Sequence, residues 1–478
     1  MTGEDGITHG RLRRTTPLAG FTARAAGGRL VASLREKTGD TGAVDRFHER
    51  TAERYAELLG HSKGVLMKAG QILSMVDASA VGNGSFSPYQ KALTRLQADA
   101  PPMAPAPAHG VLQADLGRPA GEIFAEFSDT PMAAASIGQV HRAVLRDGRE
   151  VAVKIQYPGA AQAIRADLAN TELIATFLRL GASSTGVMQA DPRSAAQELS
   201  ERIAEELDYR NEAANLTAFN RLYQDHPFIR IPDLVPEASG DQVLTMTYLD
   251  GLDWAQAQDA PQELKDVWGE VIFRFAAGSY GHANLFHGDP HPGNYRFGRD
   301  GTVGFVDFGC VKTFTEVQRR RIVRILRAVL DDARDDLRAV MVEAGFFDTG
   351  SPISADDVFG WWAPMLAEAI GPQPATYSVN TSSRQANGLL DFRNPVLRQM
   401  KIPPEYTLLS RLQLSVNSIV SRLATTFHAR AMIDDIHGRA EPASGLGMAH
   451  RAWVIQRGLP FALDDHEEHR EKARIGSS

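Results

Sequence analysis

Two short polar segments, separated by a predicted β-hairpin, constrain the fold of this 478-residue chain more than any other feature. In the first segment, residues 287–294, Asp289 precedes Asn294 by five residues. The second segment starts at Asp307, which ends an apolar strand thirteen residues after Asn294. The chain between them has the pattern of two strands around a turn at residues 298–301. The order and spacing therefore predict one site built from both segments.

The spacing within these segments is that of the catalytic and metal-binding loops of protein kinases. In that pattern Asp289 orients or deprotonates the attacking hydroxyl group or water, while Asn294 and Asp307 are ligands of Mg²⁺. Mg²⁺ takes oxygen ligands from one or two protein groups and completes its shell with phosphate and water. Either segment alone also occurs by chance as a polar turn. Together they predict a site for Mg²⁺ and a nucleotide.

A lysine and a small-residue loop upstream fit the same chemistry. Lys154 ends an apolar strand, where an unpaired ammonium group is costly to bury. Nucleotide phosphates and a helix glutamate supply its anionic partner in kinases. Before it, Gly138 and Val140 match the end of the kinase glycine-rich pattern, but Ala133 and Ala135 replace the first two glycines. Because a Cβ restricts the backbone, we expect a stiffer loop over the phosphates.

The N-terminal part of the chain is predicted to be helical. Within residues 62–76, apolar residues recur at the spacing of one stripe of an amphipathic helix. Lys68 and Gln71 point away from that stripe, side by side. Taken alone, they are a solvated helix face. A proline-rich stretch at residues 101–107 ends this region.

Composition excludes several classes of protein. There are 51 Lys and Arg against 58 Asp and Glu, which argues against a generally basic nucleic-acid-coating protein. The single cysteine, Cys310, excludes an internal disulfide framework and fits a reducing compartment. No apolar run of about 18 residues occurs, so we expect no membrane-spanning helix. Residues 1–40 are basic, and are either a loosely ordered tail or a segment that binds a membrane surface.

The motifs together resemble the UbiB-like (AarF/ADCK) family of atypical kinases. They follow the family's order over roughly residues 45–345: K-x-G-Q at 68–71, an alanine-rich loop at 133–136, E-x-D at 206–208, and then the two segments described above. The resemblance is specific because K-x-G-Q and the alanine-rich loop seldom occur together elsewhere.

The resemblance implies a role for each residue of these motifs. Lys68 would face the nucleotide cleft and pair with Glu206, and Glu212 would be the helix glutamate that pairs with Lys154. Asp289 and Lys154 would be catalytic. The regulatory residues would be Lys68, Gln71, Glu206 and Asp208, and the ATP-binding residues Ala133, Ala134, Ala135, Ser136, Gly138, Val140, Lys154, Glu212 and Met246.

The resemblance also implies an activity. Members of the family bind Mg-nucleotide, act as ATPases and support coenzyme Q or other isoprenoid-lipid metabolism. We therefore expect an ATPase or phosphotransferase with ATP and Mg²⁺ as cofactors and a lipid or isoprenoid-quinone precursor as partner. We expect no nucleic-acid partner and a cytoplasmic location, with the basic N-terminus as the candidate contact with a membrane surface.

Two alternatives compete with this interpretation, and the second of them comes from a different class of protein. The first is a small-molecule kinase similar to the aminoglycoside phosphotransferases, because His-Gly-Asp-x-His-x-x-Asn followed by Asp-Phe-Gly resembles that group too. The K-x-G-Q motif and the alanine-rich loop argue against it. The second is an inactive pseudokinase or lipid-binding scaffold, which is disfavoured because all four catalytic-type residues are present: Lys154, Asp289, Asn294 and Asp307.

The expected fold class is α+β, a protein-kinase-like two-lobed fold with an added N-terminal helical region. The helical pattern resumes near Thr315, with no long activation segment and no Ala-Pro-Glu, so an extended peptide-docking platform is not expected. The predicted regions are a basic N-terminus (1–40), the K-x-G-Q helices (41–107), the N-lobe with a helical insertion (108–250), the helical C-lobe (251–438) and a polar tail (439–478).

Overall fold

The structure of the chain is a computed structural model. The structure describes five segments and five isolated positions, which are residues 103–135, 137–159, 207–380, 394–403 and 406–469 with Arg46, Arg50, Gln162, Ser382 and Gln385. The chain divides into two compact units. The first comprises the residues up to Tyr209 together with Pro236–Thr245, and the second comprises Arg210–Val235 and the residues from Met246 onward.

The described part of the first unit contains a β-sheet and two helices. Strand β3 pairs antiparallel with β1, β2 and β4, and β6 lies on the other side of β4. The elements are α1 (Pro105–Leu116), α2 (Ala120–Ile123), β1 (Phe124–Phe127), β2 (Ala133–Ala135), β3 (Gly138–Leu145), β4 (Glu150–Gln156) and β6 (Val243–Thr247), whose first three residues belong to this unit.

The β3–β4 hairpin includes the apolar strand predicted before Lys154, and β4 continues past that lysine to Gln156. Val151, Val153 and Ile155 alternate along β4 and are fully buried, so the residues between them point to the opposite face of the sheet. Lys154 is one of those residues. The turn closes through Gly148, whose φ of 89° is a left-handed conformation that favours glycine.

Asp115, near the end of α1, fixes the approach to β6. Its carboxylate accepts hydrogen bonds from the backbone N–H groups of Asp241, Gln242 and Val243 at 3.0, 2.8 and 2.9 Å. Three consecutive amides around one carboxylate are a strong, charge-assisted arrangement. The Asp115 side chain therefore anchors the start of β6 to α1.

The second unit is mostly helical. Its strands are β5 (Ile229–Arg230), β7 (Phe286–His287), β8 (Tyr295–Phe297), β9 (Val303–Phe305), β10 (Val311–Lys312), β11 (Ala375–Thr376) and β12 (Thr426–Phe427). Its helices are α3 (Tyr209–Leu222), α4 (Trp254–Gln258), α5 (Gln262–Ala283), α6 (Glu316–Leu330), α7 (Arg334–Glu343), α8 (Ala355–Trp362), α9 (Ala367–Ile370), α10 (Pro395–Gln399), α11 (Thr407–Arg422), α12 (Ala429–Ile436) and α13 (Gly445–Gln456). None of the described helices is both long and apolar enough to cross a membrane.

Helix α5 is the central support of the second unit. Trp268, Val271 and Ile272 are almost completely buried on it. Arg274 is also buried, at 1% exposure, and pairs with Glu270 at 2.8 Å and Asp435 at 2.9 Å. A buried guanidinium is tolerated only with such partners, so α5 and α12 are held together by charge as well as by packing.

Three buried histidines form a continuous hydrogen-bonded row in the second unit. His282 Nδ1 donates to the carbonyl of Pro460, so Nε2 of the neutral ring accepts from His450 Nε2 at 3.1 Å. His450 Nδ1 then accepts from His226 Nε2 at 2.9 Å. At the far end, His226 Nδ1 accepts from the backbone N–H of Ile229 at 3.0 Å. One set of neutral tautomers thus satisfies the whole row.

The C-terminal region packs into this unit. Trp453 of α13 stacks on Tyr223 with ring centroids 5.6 Å apart, and its Nε1 donates to the carbonyl of Gln224 at 3.0 Å. Arg319 of α6, fully buried, donates to the carbonyl of Ala462 at 2.6 Å. The polar composition of residues 439–478 did not indicate this packing.

The histidine row predicts that stability falls in mild acid. Burial is the main reason that the pKa values of these histidines are low. It lowers the pKa of His226 to about 3 and that of His282 to about 4, and it lowers the pKa of His450 far below its usual range. In the unfolded chain these histidines bind protons near the ordinary histidine pKa of about 6.5. Each histidine therefore lowers the free energy of unfolding by up to about 1.4 kcal/mol for each pH unit below that value. The charged groups acting on the row are Arg230, Arg274, Asp464 and His466.

Urea unfolding between about pH 7.5 and pH 5 measures this slope. His450→Gln keeps a donor and an acceptor but cannot titrate, so its stability should fall less steeply with decreasing pH than that of the wild type. His428→Gln is the matched control, because His428 is exposed. Equal slopes for the wild type and the His450 variant would contradict the neutral row.

Candidate active site

The two polar segments of the sequence meet at a short pair of strands. β7 and β10 are antiparallel, with His287 opposite Val311, and the N–H of Gly288 donates to the carbonyl of Cys310 at 2.8 Å. Outside this pair, the side chain of Asn284 donates to the carbonyl of Phe314 at 2.6 Å and accepts from its N–H at 3.3 Å. The segment between residues 284 and 314 is therefore a closed loop that contains both motifs.

Asp289 and Asn294 lie within this loop, on either side of a proline-rich turn. Residues 292–294 form a single 3₁₀ turn, which His291 caps by accepting from the N–H of Gly293 at 3.1 Å. The side-chain amide of Asn294 donates to the carbonyl of Asp289 at 3.5 Å, and the carbonyl of Asn294 accepts from Val306 at 3.1 Å. Asn294 is thus placed between Asp289 and the residue that precedes Asp307.

Asp307 is held by backbone groups at the start of the second motif. Its Oδ1 accepts from the N–H of Gly309 at 3.0 Å, and its carbonyl accepts from His287 Nε2 at 2.7 Å. His287 is buried, so this bond directly joins the two motifs. Together these contacts fix the backbone that carries Asp307 against the loop that carries Asp289.

Helix α3 packs on the same motif. Phe308 is fully buried, with its ring 4.9 Å from that of Phe219, and its carbonyl accepts from the side chain of Asn215 at 3.0 Å. Glu212, one turn earlier on α3, is only 2% exposed. A Cβ added to Gly309 would lie 3.9 Å from Oε2 of Glu212 and 3.4 Å from Oδ1 of Asp307. These are ordinary van der Waals distances, so the Glu212 carboxylate lies next to the second motif without requiring a glycine there.

The negative charge of Asp289 affects the pKa of a buried tyrosine nearby. Burial, and secondarily the negative charge of Asp289, raise the pKa of the Tyr295 phenol far above its usual range. Tyr295 pairs with Phe305 in the β8–β9 ladder. The hairpin predicted between the motifs is thereby confirmed, and Asp289 lies near its base.

In the first unit, the alanine-rich loop is a strand rather than an irregular loop. Ala133, Ala134 and Ala135 pair with Val140, Gln139 and Gly138 in an antiparallel ladder. Val140 is in turn opposite Lys154 in the β3–β4 ladder. The Lys154 ammonium lies 5.1 Å from the centroid of the Tyr209 ring, within the range of a cation–π contact.

Gly138 is required where β3 approaches β4. A Cβ at this position would lie 2.1 Å from the carbonyl oxygen of Ile155 and 2.8 Å from its carbonyl carbon. Both are backbone atoms within a ladder and cannot move aside cheaply. The glycine that matched the end of the kinase pattern thus has a steric reason, whereas Ala133 and Ala135 are accommodated as strand residues.

The remaining predicted residues are distributed as follows. Met246 is buried in β6, and Asp208 is exposed just before α3. Lys154 and Glu212 belong to different compact units, so their pairing stays a prediction. Four predicted residues lie outside the described part of the chain, namely Lys68, Gln71, Ser136 and Glu206.

Three residues that position the site were given no role from the sequence. Asn284 closes the loop, His287 joins the two motifs, and Asn215 holds the carbonyl of Phe308. His287 lies within the first motif, so its position in the sequence could have indicated a role at the site. The two asparagines stand in ordinary helical and turn contexts, where nothing local distinguishes them.

The oxygen-donor set fits Mg²⁺ better than a transition metal. Within the described residues, no group of three or more His, Cys, Asp or Glu side chains is placed to hold a metal ion. The predicted metal ligands are one carboxylate, Asp307, and one amide, Asn294. Such a pair suits an ion that keeps waters and takes phosphate oxygens as its other ligands.

Comparison with known proteins agrees with this geometry. Residues 95–341 match the ABC1 atypical kinase-like domain, which is more than half of the chain. The chain belongs to this family. The ABC1 match and the similarity to COQ8 proteins confirm the resemblance to UbiB-like kinases and the kinase-like fold of mixed helix and sheet.

Several relatives in the ABC1 family cover much of the chain. The rat protein "Atypical kinase COQ8B, mitochondrial" is 28% identical over 94% of this chain and 83% of its own length. Yeast "Atypical kinase COQ8, mitochondrial" is 32% identical, and this chain spans 51% of its length. The chain spans about half the length of several other curated relatives, including 49% of an Arabidopsis chloroplastic ABC1 kinase.

A solved structure also resembles this ABC1 protein. The Mycobacterium tuberculosis protein Rv3197, which was solved as a complex with erythromycin, is 34% identical with a TM-score of 0.56. The similarity covers 86% of this chain and 99% of Rv3197.

The close approach at Gly138 predicts the effect of a single methyl group. Gly138→Ala should lower the free energy of unfolding by about 1–3 kcal/mol, because the added Cβ must displace the backbone of β4. The control is Gly121→Ala in α2, where no atom lies within 4 Å of the added carbon. Urea unfolding measures both. A Gly138 variant as stable as the Gly121 variant would contradict the steric role.

Proposed function

We propose that this ABC1-family protein is a Mg-ATP-dependent ATPase or phosphotransferase. The observation that carries the proposal is the joining of two motifs by β7–β10 and by the hydrogen bond from His287 to the carbonyl of Asp307. This arrangement puts a carboxylate, an amide and a second carboxylate within one closed loop. It is the set of groups that positions a nucleotide and its metal in protein kinases.

In this proposal each residue has one task. Asp307 and Asn294 hold Mg²⁺, which when bound neutralises charge on the nucleotide phosphates. Lys154 binds the phosphates and Glu212 orients that lysine. Asp289 orients the attacking hydroxyl group or water and accepts its proton. The alanine-rich strand β2 and its turn cover the nucleotide, and Met246 is part of the nucleotide-binding surface.

The chain after the second motif favours a small acceptor over a peptide. β10 ends at Lys312, and Thr315 already caps α6 by accepting from the N–H of Gln318. These few residues leave no room for an extended segment on which a peptide could dock. Water or a small molecule is therefore the proposed acceptor, which also keeps the small-molecule kinase as the second candidate.

The finer proposal concerns the pathway. Resemblance to UbiB-like kinases supports a role in isoprenoid-quinone or related lipid metabolism, with the K-x-G-Q residues Lys68 and Gln71 and the E-x-D residues Glu206 and Asp208 as regulators. The basic N-terminus is the proposed contact with a membrane surface. Because the similar protein Rv3197 was solved with erythromycin, this macrolide is a further ligand to test alongside isoprenoid phenols.

Replacing Asp307 tests the proposed metal site. Mg-ATP should raise the melting temperature of the wild type, since a ligand at 100 times its Kd stabilises the folded state by about 2.7 kcal/mol. Asp307→Asn should lose the Mg²⁺-dependent part of this shift. Asp259→Asn, the same chemical change at an exposed position, should keep it. An undiminished shift in the folded Asp307 variant would contradict the assignment.

Replacing Asp289 separates catalysis from binding. Asp289→Asn should retain the Mg-ATP thermal shift but hydrolyse ATP about 10²–10⁴ times more slowly, because it removes the group that accepts the proton. Phosphate release with purified protein, with and without lipid and isoprenoid phenols, measures the rate. If the wild type binds Mg-ATP yet releases no phosphate under any of these conditions, the chain is a pseudokinase.

A further inference from the structure

Asn215, on helix α3, contacts the backbone of the second motif. Its side-chain amide donates to the carbonyl of Phe308 at 3.0 Å. Phe219 follows four residues later, on the same face of the helix, and its ring centroid lies 4.9 Å from that of Phe308. One face of α3 therefore holds both the backbone and the side chain of Phe308.

The bond from Asn215 sets the direction of the next peptide group. A trans peptide is planar, so the carbonyl of Phe308 and the N–H of Gly309 point in opposite directions. The carbonyl points at Asn215, and the N–H points at Asp307, where it donates to Oδ1 at 3.0 Å. One peptide group thus connects the side chain of a helix residue to the Asp307 carboxylate.

This peptide group is one that can rotate easily when nothing holds it. Gly309 has no Cβ, so rotation of the peptide before it meets little steric resistance. Burial fixes the ring of Phe308 but does not by itself fix the peptide on its C-terminal side. After rotation, the Phe308 carbonyl oxygen would face the Asp307 carboxylate, and Oδ1 would lose the Gly309 donor. The hydrogen bond from Asn215 opposes this rotation.

We propose that Asn215 is a positioning residue for Asp307. By holding the Phe308 carbonyl, it keeps the Gly309 N–H on Oδ1 and so orients the carboxylate that binds Mg²⁺. This proposal rests on the proposed function, in which Asp307 is a metal ligand. Removing a group that orients a metal ligand commonly weakens metal binding by about 10–100-fold. Because Asn215 acts through a peptide group, we expect the lower end of that range, about tenfold.

His287 acts on a different peptide group of the same motif. It donates to the carbonyl of Asp307 at 2.7 Å, and so fixes the peptide before Phe308, whereas Asn215 fixes the peptide after it. The contacts that join the two motifs, β7–β10 and the bond from His287, do not involve Asn215. Removing the Asn215 amide should therefore leave the closed loop intact.

A pair of matched variants isolates this contact. Asn215→Leu replaces the amide by an apolar group of nearly the same size, in a residue that favours helices, and so removes the donor. The control is Asn220→Leu, on the same helix and also half-buried. The Asn220 amide donates to the carbonyl of Pro232 at 3.1 Å and to Asp233 at 2.9 Å, which lie outside both motifs.

Calorimetric titration with ATP, once with Mg²⁺ and once with excess EDTA, measures the effect on the metal site. Asn215→Leu should bind Mg-ATP about tenfold more weakly than the wild type, but metal-free ATP with an affinity within about twofold. Asn220→Leu should match the wild type in both titrations. A purely structural role for Asn215 would not separate the two forms of the nucleotide.

Hydrogen exchange of the nucleotide-free protein, resolved to single residues by mass spectrometry, measures the orientation of the peptide. The Gly309 amide should exchange about three- to tenfold faster in Asn215→Leu than in the wild type, because its bond to Asp307 is no longer held in place. In Asn220→Leu it should exchange at the wild-type rate. This measurement requires neither nucleotide nor metal.

Four results would overturn the proposal. They are unchanged Mg-ATP affinity in folded Asn215→Leu, an equal loss of affinity for metal-free ATP, an equal loss of Mg-ATP affinity in Asn220→Leu, and unchanged exchange of the Gly309 amide. If the wild type binds no Mg-ATP, the proposed function fails, and hydrogen exchange alone decides whether Asn215 orients Asp307. Should Asn215→Leu not fold, Asn215→Ala removes the same donor and is read in the same way.

Discussion

The closure of the segment between Asn284 and Phe314 is the constraint on which the candidate active site depends. Asn284 ends α5 with a φ of 56°, a left-handed conformation that asparagine tolerates better than most residues. In that conformation its side-chain amide both donates to and accepts from the backbone of Phe314. Asp289, Asn294 and Asp307 all lie between these two anchors. Their mutual distances therefore follow from one turn at a helix end and one two-residue strand pair.

Helix α5 supports two features that differ in chemistry. Its C-terminal end starts the closed loop, and one of its buried faces carries Arg274 and His282. The buried cation and the neutral histidine row are satisfied by partners from α12, α13 and the C-terminal region. These partners therefore hold the helix from which the loop of the candidate active site starts. The C-terminal residues are part of the structure of this unit.

Much of the fold near the site followed from local sequence. The apolar strand that carries Lys154, the β8–β9 hairpin and the helix that begins near Thr315 were predicted from apolar runs, turn residues and helical periodicity, and the structure has them within a few residues of the expected bounds. The alanine-rich segment was harder, because alanine favours helices. Ala133, Ala134 and Ala135 instead form a strand because β3 offers them backbone hydrogen-bond partners. The tertiary context therefore overrides the helix propensity of alanine.

The sequence by itself determined the family, and it predicted the chemistry of the candidate site. Asp289, Asn294, Asp307 and Lys154 were recognisable because catalytic spacing is short-range and residue-specific. Only the tertiary structure decided the long-range contacts of the second unit, such as Asn215 on the carbonyl of Phe308 and the row from His226 through His450 to His282. These contacts join residues far apart in the chain. The partners in these contacts depend on how whole helices pack together, and local sequence patterns do not encode that packing.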